Sequence, residues 1–299
     1  MGAKLRVVRR RIRSVQSTMK ITRAMELIAA SRIVKAQARV EAARPYAELL
    51  TRAMEDVARQ TGALVHPLLE ERETPERAGV LVMTSDRGLA GSYNANVLRL
   101  AESMLAEVRG RGLEPLVYAS GKKGISYFRF RAVPLEASWS GFSEVPPYSA
   151  ADEMGQRLIE DFGTGRIDEL HTVFTDFRSA FTHRAAIKRF LPVSANELKD
   201  FKGRVHPEYI FEPAPQAILD ELLPQYVITK VYAALLESAA SENAARRRAM
   251  KAATDNAEDL IKVLTRQANR ARQDEITTEI MEIVGGAEAL AQAAGGSGR

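Results

Sequence analysis

Two glycine-containing turns carry the residue types that could bind a phosphate group. Residues 85–94 read SDRGLAGSYN and residues 120–124 read SGKKG, and each follows a predicted strand. Such turns bind phosphate when their backbone N–H groups open a helix. Neither segment matches G-x-G-x-x-G or the Walker A pattern, so we interpret the first as a structural turn. A nucleotide site at the second turn stays open as an alternative.

Other chemistry finds little support in the sequence. There are no cysteines, and the four histidines are far apart without metal-ligand spacing. No segment matches G-x-S-x-G, H-E-x-x-H or an EF-hand loop. The acidic residues near the C-terminus lie on a predicted helix and read as a solvated or partner-facing surface. We therefore expect a non-catalytic interaction protein with no cofactor and no metal.

The charge is uneven along the chain. The net charge is +5, but between Lys4 and Arg44 the only acids are Glu26 and Glu41. A basic helix of this kind suits nucleic acid, an acidic membrane surface or an acidic protein partner, and a solvated helix face is the alternative. No apolar run is long enough to span a membrane, and no secretory signal is readable, so we expect a soluble intracellular protein.

The elements that must carry any such surface are two long predicted helices. The first covers about residues 3–60, with a possible bend at Pro45, and its apolar seam is broken only by Thr22 and Glu26. The remaining seam residues are Leu5, Val8, Ile12, Val15, Met19, Ala29, Ile33, Ala36, Val40, Ala43, Ala47, Leu50, Met54 and Val57. Spacing that averages three and a half residues predicts a coiled coil.

The second long helix is predicted from about residue 216 to about residue 293. Its seam shifts phase once, and small alanines at many seam positions allow two backbones to approach closely. The seam is Met250, Ala253, Ala257, Leu260, Leu264, Ala268 and Ala271, followed by Ile276, Ile280, Ile283, Ala287 and Leu290. We expect the two helices to pair with each other.

Between the helices, β-rich runs alternate with helical stretches, which predicts an α/β domain with a partly parallel sheet. The predicted strands are 78–84, 114–120, 132–135, 170–176 and 185–192, and the predicted helices are 92–109, 122–130 and 150–162. The predicted segments are an N-terminal helix at 1–61, a linker at 62–77, the α/β domain at 78–210, a C-terminal helix at 211–293 and a flexible tail at 294–299.

Some apolar residues lie off the predicted seam. Ile21, Met25, Leu27 and Ile28 cannot all face a single partner helix, and Ile276, Ile280, Ile283 and Val284 extend beyond any plausible contact with the α/β domain. Apolar residues all round a helix imply further surrounding protein. Extra packing against the α/β domain is the alternative for the first group. The pattern favours a sleeve around the paired helices.

Four blocks of sequence resemble the gamma subunit of F-type ATP synthases. They are KITRAME at 20–26 with AASR at 29–32; SDRGL at 85–89 with Gly91 and Asn94; SE at 241–242 with AR at 245–246 and AMKAATDNA at 249–257; and ITTE at 276–279 with Glu282, Gly286 and Ala287. The resemblance implies an α/β fold with long terminal helices: an antiparallel two-helix coiled coil plus a central Rossmann-like domain.

The resemblance also implies a role and partners. The chain would be the non-catalytic central rotor stalk, coupling c-ring rotation to ATP synthesis or hydrolysis on a ring of alpha and beta subunits. Its partners would be alpha, beta and epsilon subunits and the c-ring. It would lie peripherally at the cytoplasmic face of the bacterial plasma membrane.

Contact residues carry over from the family position by position. Contacts with beta subunits are expected at Arg23, Met25, Arg246, Arg272, Gln273, Thr277 and Glu279, and contacts with the c-ring or epsilon at Tyr209, Phe211 and Glu212. Relatives often have lysine where this chain has Arg23 and Arg32, and cysteine where it has Ala90. Arginine keeps the charge but changes the hydrogen-bond geometry.

Two rival functions remain. A basic coiled-coil protein that binds nucleic acid would explain the arginine-rich first helix, although that helix lacks the interleaved aromatics that single-strand stacking needs. A small nucleotide-binding enzyme with coiled-coil arms would require nucleotide affinity in residues 75–210.

Overall fold

Two long helices begin and end the part of the chain that the structure describes. The computed structural model describes residues 3–61, 66–177, 183–194 and 215–295. Helix α1 is Ala3–Thr61 and contains Pro45, and the last helix, α5, is Pro215–Gly295 and contains Pro224. Both helices were predicted from apolar spacing, and their ends agree with the prediction within two residues.

The chain divides into two compact units. The larger unit is residues 28–248, and the smaller unit joins residues 1–27 to residues 249–299. Each long helix therefore contributes residues to both units. The five-segment division made from the sequence stays a prediction.

The larger unit contains a five-stranded sheet. Its strands are β1 (Arg77–Met83), β2 (Glu114–Ser120), β3 (Leu135–Trp139), β4 (Glu169–Phe177) and β5 (His183–Leu191). Its other elements are a short 3-10 helix (Pro67–Leu69) and the helices α2 (Tyr93–Gly110), α3 (Lys122–Phe130) and α4 (Tyr148–Gly163). The strand order is β3-β2-β1-β4-β5, with β5 antiparallel to β4 and the other pairs parallel. The predicted partly parallel sheet is confirmed.

One predicted strand is wrong in position. The sequence predicted a strand at 132–135, but the strand is Leu135–Trp139. Ala132 has a φ of 55°, and the N–H groups of Ala132 and Val133 donate to carbonyls at the end of α3. These residues therefore complete the C-terminal end of α3. The composition of such a short run does not show whether it ends a helix or begins a strand.

The sheet has an apolar core on each face. Along β1, Val80 and Val82 pack with α2 and α3, whereas Leu81 and Met83 pack on the other face. That other face also takes up α4, Met54 of α1, and the first turns of α5 through residues such as Leu223. The long helices are therefore anchored to the sheet by ordinary hydrophobic burial.

The N-terminal seam is confirmed residue by residue. All sixteen predicted seam positions of α1, including Thr22 and Glu26, are buried or half-buried. Off the seam, Ile21, Leu27 and Val34 are more than half exposed. The heptad-like spacing thus identified the inward face of α1 correctly.

In the smaller unit the two helices meet at a pair of hydroxyl groups. Thr22 Oγ1 lies 2.8 Å from Thr254 Oγ1. An antiparallel register through this pair places Leu5, which is 3% exposed, opposite Ala271. From Ile276 to residue 287 every described side chain of α5 is exposed, as expected where α1 has ended. The predicted antiparallel pair is therefore the arrangement that the burial supports.

The predicted C-terminal seam is wrong at Leu260 and again from Ile276 onward, where Ile276, Ile280, Ile283 and Ala287 are exposed. Met250, Ala257, Leu264 and Ala268 are buried as predicted, but Leu260 is 46% exposed. Ile261 is half-buried in its place. Ile261 lies four residues after Ala257 and therefore on the same face of the helix. The predicted seam position, Leu260, was one residue too early in the sequence.

Candidate interaction site

The carboxyl ends of β1 and β2 are where an α/β domain would bind a phosphate, and here the chain's own Asp86 occupies that position. Asp86 Oδ1 accepts a hydrogen bond from the N–H of Lys122, the first residue of α3, at 3.1 Å. Asp86 Oδ2 accepts from the N–H groups of Gly141 at 2.8 Å and Ser143 at 3.0 Å. The donors that could hold an anionic ligand are thus already engaged.

These hydrogen bonds also set the charge of Asp86. Burial would raise the pKa of the carboxyl, but the three backbone donors outweigh burial and lower the pKa below its ordinary value. The carboxylate is therefore ionised at neutral pH and acts as an internal anion at the start of α3.

The turn between β2 and α3 is shaped by a close backbone approach. Gly121 has a φ of 93°, and a Cβ atom there would lie 2.1 Å from the carbonyl oxygen of Thr84. Thr84 Oγ1 in turn accepts the N–H of Gly124 at 2.8 Å. The glycines of the second turn permit this packing, which accounts for their presence without a nucleotide.

Helix α5 lies across the crevice between β1 and β4, where doubly wound sheets commonly bind ligands. Ser241 Oγ lies 3.4 Å from the carbonyl oxygen of Thr175 at the end of β4. Tyr93, the first residue of α2, is 4% exposed here, and burial raises the pKa of its phenol. The chain fills its own crevice with α5.

A group of five charged residues joins α1, α5 and two loops at this edge of the sheet, and we call it the charged junction. It consists of Arg32, Arg87, Glu144, Glu242 and Arg246. Arg32 and Arg87 both pair with Glu144 Oε2, the Arg87 contact being 3.7 Å. Arg246 bridges the group, with Nη1 3.4 Å from Glu144 Oε1 and Nη2 2.6 Å from Glu242 Oε1.

The charged junction is desolvated at its centre. Arg246 is 5% exposed and Glu242 is 1% exposed. Burial raises the pKa of Glu242, and the adjacent Arg246 opposes that shift. Because a buried ion pair depends on its geometry, the junction fixes how α5 is seated on the α/β domain.

The predicted contact residues fall into different settings. Arg23 is on the surface, with Nη1 3.3 Å from Glu26, and Met25 is half-buried. Arg246 is buried inside the charged junction. The predicted contacts Arg272, Gln273, Thr277 and Glu279 are all exposed on α5.

Three further predicted contacts, Tyr209, Phe211 and Glu212, lie outside the described residues. Sequence reasoning also missed Glu144, which forms ion pairs with three arginines. Glu144 is one acidic residue in a loop, and its spacing gave no signal that three distant arginines converge on it.

The far end of α5 presents an exposed apolar surface, which we call the apolar tip. Its members are 46% to 72% exposed: Ile276, Ile280, Met281, Ile283 and Val284. Large aliphatic side chains in a contiguous exposed group mark a surface that binds another protein.

Two other kinds of site are absent from the described part of the chain. No group of three or more histidine, aspartate or glutamate side chains there is arranged to hold a metal ion. Among the described helices, none combines the length and apolarity required to cross a bilayer.

Comparison with known proteins identifies the family. Residues 4–290 match the sequence model of a family described as ATP synthase. The ATP synthase gamma chain of Parafrankia sp. (strain EAN1pec) is 57% identical over 299 residues, covering 98% of this chain and 100% of the relative. The chain belongs to the ATP synthase gamma-chain family.

Another gamma-chain relative gives the same result. The ATP synthase gamma chain of Acidothermus cellulolyticus is 56% identical over 295 residues, covering 97% of this chain and 98% of that protein. The predicted central-stalk function is therefore confirmed at the level of the gamma-chain family. Nothing in these comparisons favours the nucleic-acid alternative.

Solved structures support the gamma-chain fold. The rotor of the Euglena gracilis mitochondrial ATP synthase aligns with a TM-score of 0.66 at 17% identity, covering 92% of this chain and 100% of that one. The central stalk and c-ring structure from Tetrahymena thermophila aligns with a TM-score of 0.58 at 24% identity, covering 78% and 99%. The predicted fold class is confirmed.

Proposed function

We propose that this chain is the non-catalytic rotor of an F-type ATP synthase, turning with the c-ring inside a ring of alpha and beta subunits. The observation that carries the proposal is the apolar tip. Ile280 and Ile283 are 54% and 72% exposed in the smaller unit, beyond the end of α1. A surrounding protein sleeve would bury these side chains without any change in the helix.

The chain's own residues occupy the positions where an α/β domain would bind a nucleotide. Asp86 accepts a hydrogen bond from the N–H of Lys122 at the start of α3, and Ser241 of α5 lies against Thr175 in the crevice between β1 and β4. A nucleotide would have to displace a carboxylate and a packed helix. We infer that nucleotide chemistry belongs to the partner subunits.

Polar contacts would guide the rotor without locking it. Arg23 presents an exposed guanidinium, and Arg272 and Glu279 are exposed on the turns before and within the apolar tip. Exposed ion pairs contribute about 0–1 kcal/mol each, so several can form and break as the shaft turns. We propose that these residues, with Met25, Gln273 and Thr277, contact beta subunits.

Arg246 is proposed to act from within the chain. Its guanidinium is buried and held by Glu144 and Glu242, so it would support a beta-subunit contact by fixing the position of α5 rather than by touching the beta subunit. Tyr209, Phe211 and Glu212 are proposed, by family resemblance, as the contact with the c-ring or epsilon. The proposed location is the cytoplasmic face of the bacterial plasma membrane, without insertion into it.

The apolar tip can be tested directly. Ile280→Glu combined with Ile283→Glu places two charges where the sleeve is proposed, and should abolish stable assembly with alpha and beta subunits in a reconstitution assay. Gln267→Glu, at an exposed position on the same helix, is the control and should assemble normally. Normal assembly and coupling of the double variant would contradict the proposal.

A further inference from the structure

A cavity of about 670 Å³ lies between α1 and α5 in the larger unit, and none of the residues proposed above as partner contacts is among its lining residues. This volume is in the range of small-molecule sites, roughly 300–1,000 Å³. Its walls include aliphatic and aromatic side chains from both helices and from the start of α4. The residues that matter here are Val40, Tyr46, Tyr148, Tyr232, Leu236 and Glu237.

Three tyrosines give the cavity an aromatic lining. The rings of Tyr148 and Tyr232 meet edge to face, with centroids 5.3 Å apart and an interplanar angle of 77°. Tyr46 lines the cavity from α1 and is 50% exposed. The faces of tyrosine rings attract organic cations, and more strongly where water is excluded.

The charged groups around Glu237 favour a cationic occupant. Glu237 interacts with Asp176 of β4 and Lys188 of β5, and Lys188 Nζ lies 3.9 Å from Asp176 Oδ1. Two carboxyl groups therefore face a single ammonium group. Glu237 Oε2 is buried and has no hydrogen-bond partner among the described residues, although the Glu237 carboxyl also interacts with Asp176. The other charged residue that lines the cavity is Arg44, whose side chain is exposed to solvent.

We propose that this cavity binds an arylalkyl ammonium ion. The ammonium group would pair with the carboxylate of Glu237, and the apolar body would lie between Tyr46, Tyr148 and Tyr232. A neutral apolar molecule of the same shape would gain the hydrophobic contact but not the charge interaction. The proposal is independent of the rotor function, because the residues that line the cavity are different from the proposed partner contacts.

The affinity for the ammonium ion should depend on pH, because Glu237 titrates near neutral pH. Burial, together with a hydrogen bond to Asp176, raises the pKa of Glu237 to about 7, although Lys188 opposes the shift. A cation binds the ionised carboxylate, so affinity should rise as the pH increases from 6 to 8. The ammonium group of a primary alkylamine stays protonated over this interval.

The test is calorimetric titration of the full chain with 4-phenylbutylammonium and with its neutral analogue 4-phenylbutan-1-ol. We expect the ammonium ion to bind about tenfold more tightly than the alcohol at pH 8. Glu237→Gln should remove that difference while leaving the affinity for the alcohol unchanged. Tyr46→Leu, at a half-exposed position that tolerates change, should weaken ammonium binding several-fold.

The control is Val34→Ala on the exposed face of α1, which should bind like the unchanged chain. Equal affinities for ammonium and alcohol, or ammonium binding insensitive to both Glu237→Gln and Tyr46→Leu, would overturn the proposal. Dimerisation of the chain that Tyr46→Leu abolishes would also overturn it, since a second copy would then cover the cavity.

Discussion

Thr22 and Thr254 form a buried hydrogen bond between the two long helices, with 2.8 Å between their hydroxyl oxygens. The two residues are 8% and 2% exposed. Each hydroxyl also lies near a carbonyl of its own helix, Met19 for Thr22 and Met250 for Thr254. A polar pair of this kind fixes the register of two helices whose other seam residues, apart from Glu26, are apolar.

The first prediction concerns this pair. Thr22→Val and Thr254→Val should each destabilise the chain, because each leaves a buried hydroxyl short of one partner. The double variant should lose about 0.5–1.5 kcal/mol less than the sum of the two single variants. Urea unfolding of all four proteins measures this coupling. Strict additivity would mean that the hydrogen bond contributes nothing.

The second prediction compares a buried ion pair with an exposed one on the same helix. Arg246→Met leaves Glu242 and Glu144 without their shared partner and should cost about 3–5 kcal/mol. Lys251→Met removes an exposed pair with Asp255, whose atoms are 3.2 Å apart, and should cost about 0–1 kcal/mol. Thermal or urea unfolding gives both values. Similar losses from the two substitutions would contradict the role given to the charged junction.

The third prediction is a pH dependence from Asp86. Its folded-state pKa is lowered, so its ionised form adds stability that is present above the ordinary pKa and is lost as the pH falls through the folded pKa. Asp86→Asn should therefore be less stable than the unchanged chain at pH 7, and the difference should shrink as the pH falls below the ordinary pKa of an aspartate.

Unfolding measured from pH 7 down to pH 2 checks the Asp86 prediction. Asp255→Asn, at an exposed carboxyl, is the matched control and should show little difference at any pH. An Asp86→Asn deficit that stays constant over the whole pH range would show that the charge is irrelevant.

The fourth prediction has the opposite sign. The pKa of Glu237 is raised to about 7 from 4.5, chiefly by burial, so stability falls as the pH rises between these values. Glu237→Gln cannot ionise, and its stability relative to the unchanged chain should increase from pH 4.5 to pH 8. Glu258→Gln, at an exposed position of α5, should show no such trend. If the stability difference between Glu237→Gln and the unchanged chain did not vary with pH, the raised pKa of Glu237 would be contradicted.

Much of the fold could be predicted because its signals are local. The α1 seam follows from apolar spacing alone, and the strands β1 and β2 are buried runs flanked by turns. Ala132 shows the limit of such signals, since its positive φ belongs to a helix end that composition does not reveal. Leu260 shows another limit. Leu260 and its neighbour Ile261 are both apolar, and the sequence spacing alone did not decide which of them faces inward.

The candidate site was less predictable because its members come together only in the folded chain. Glu144 meets Arg32 and Arg246 across 112 and 102 residues, and no spacing rule connects them. In the sequence Thr22 is only an interruption of the apolar seam, and its hydrogen-bond partner Thr254 is evident only in the folded chain. The apolar tip, by contrast, was predicted from Ile276, Ile280, Ile283 and Val284, because exposure of a helix end needs no long-range contact.

The most direct test of the rotor account is ATP-driven proton pumping by the complete complex in sealed vesicles, with and without this chain. We predict that the isolated chain hydrolyses no ATP, and that complexes lacking it hydrolyse ATP without pumping protons. Restoring the chain should restore pumping in proportion to the amount that assembles. Proton pumping that persists at full rate without the chain would contradict the account.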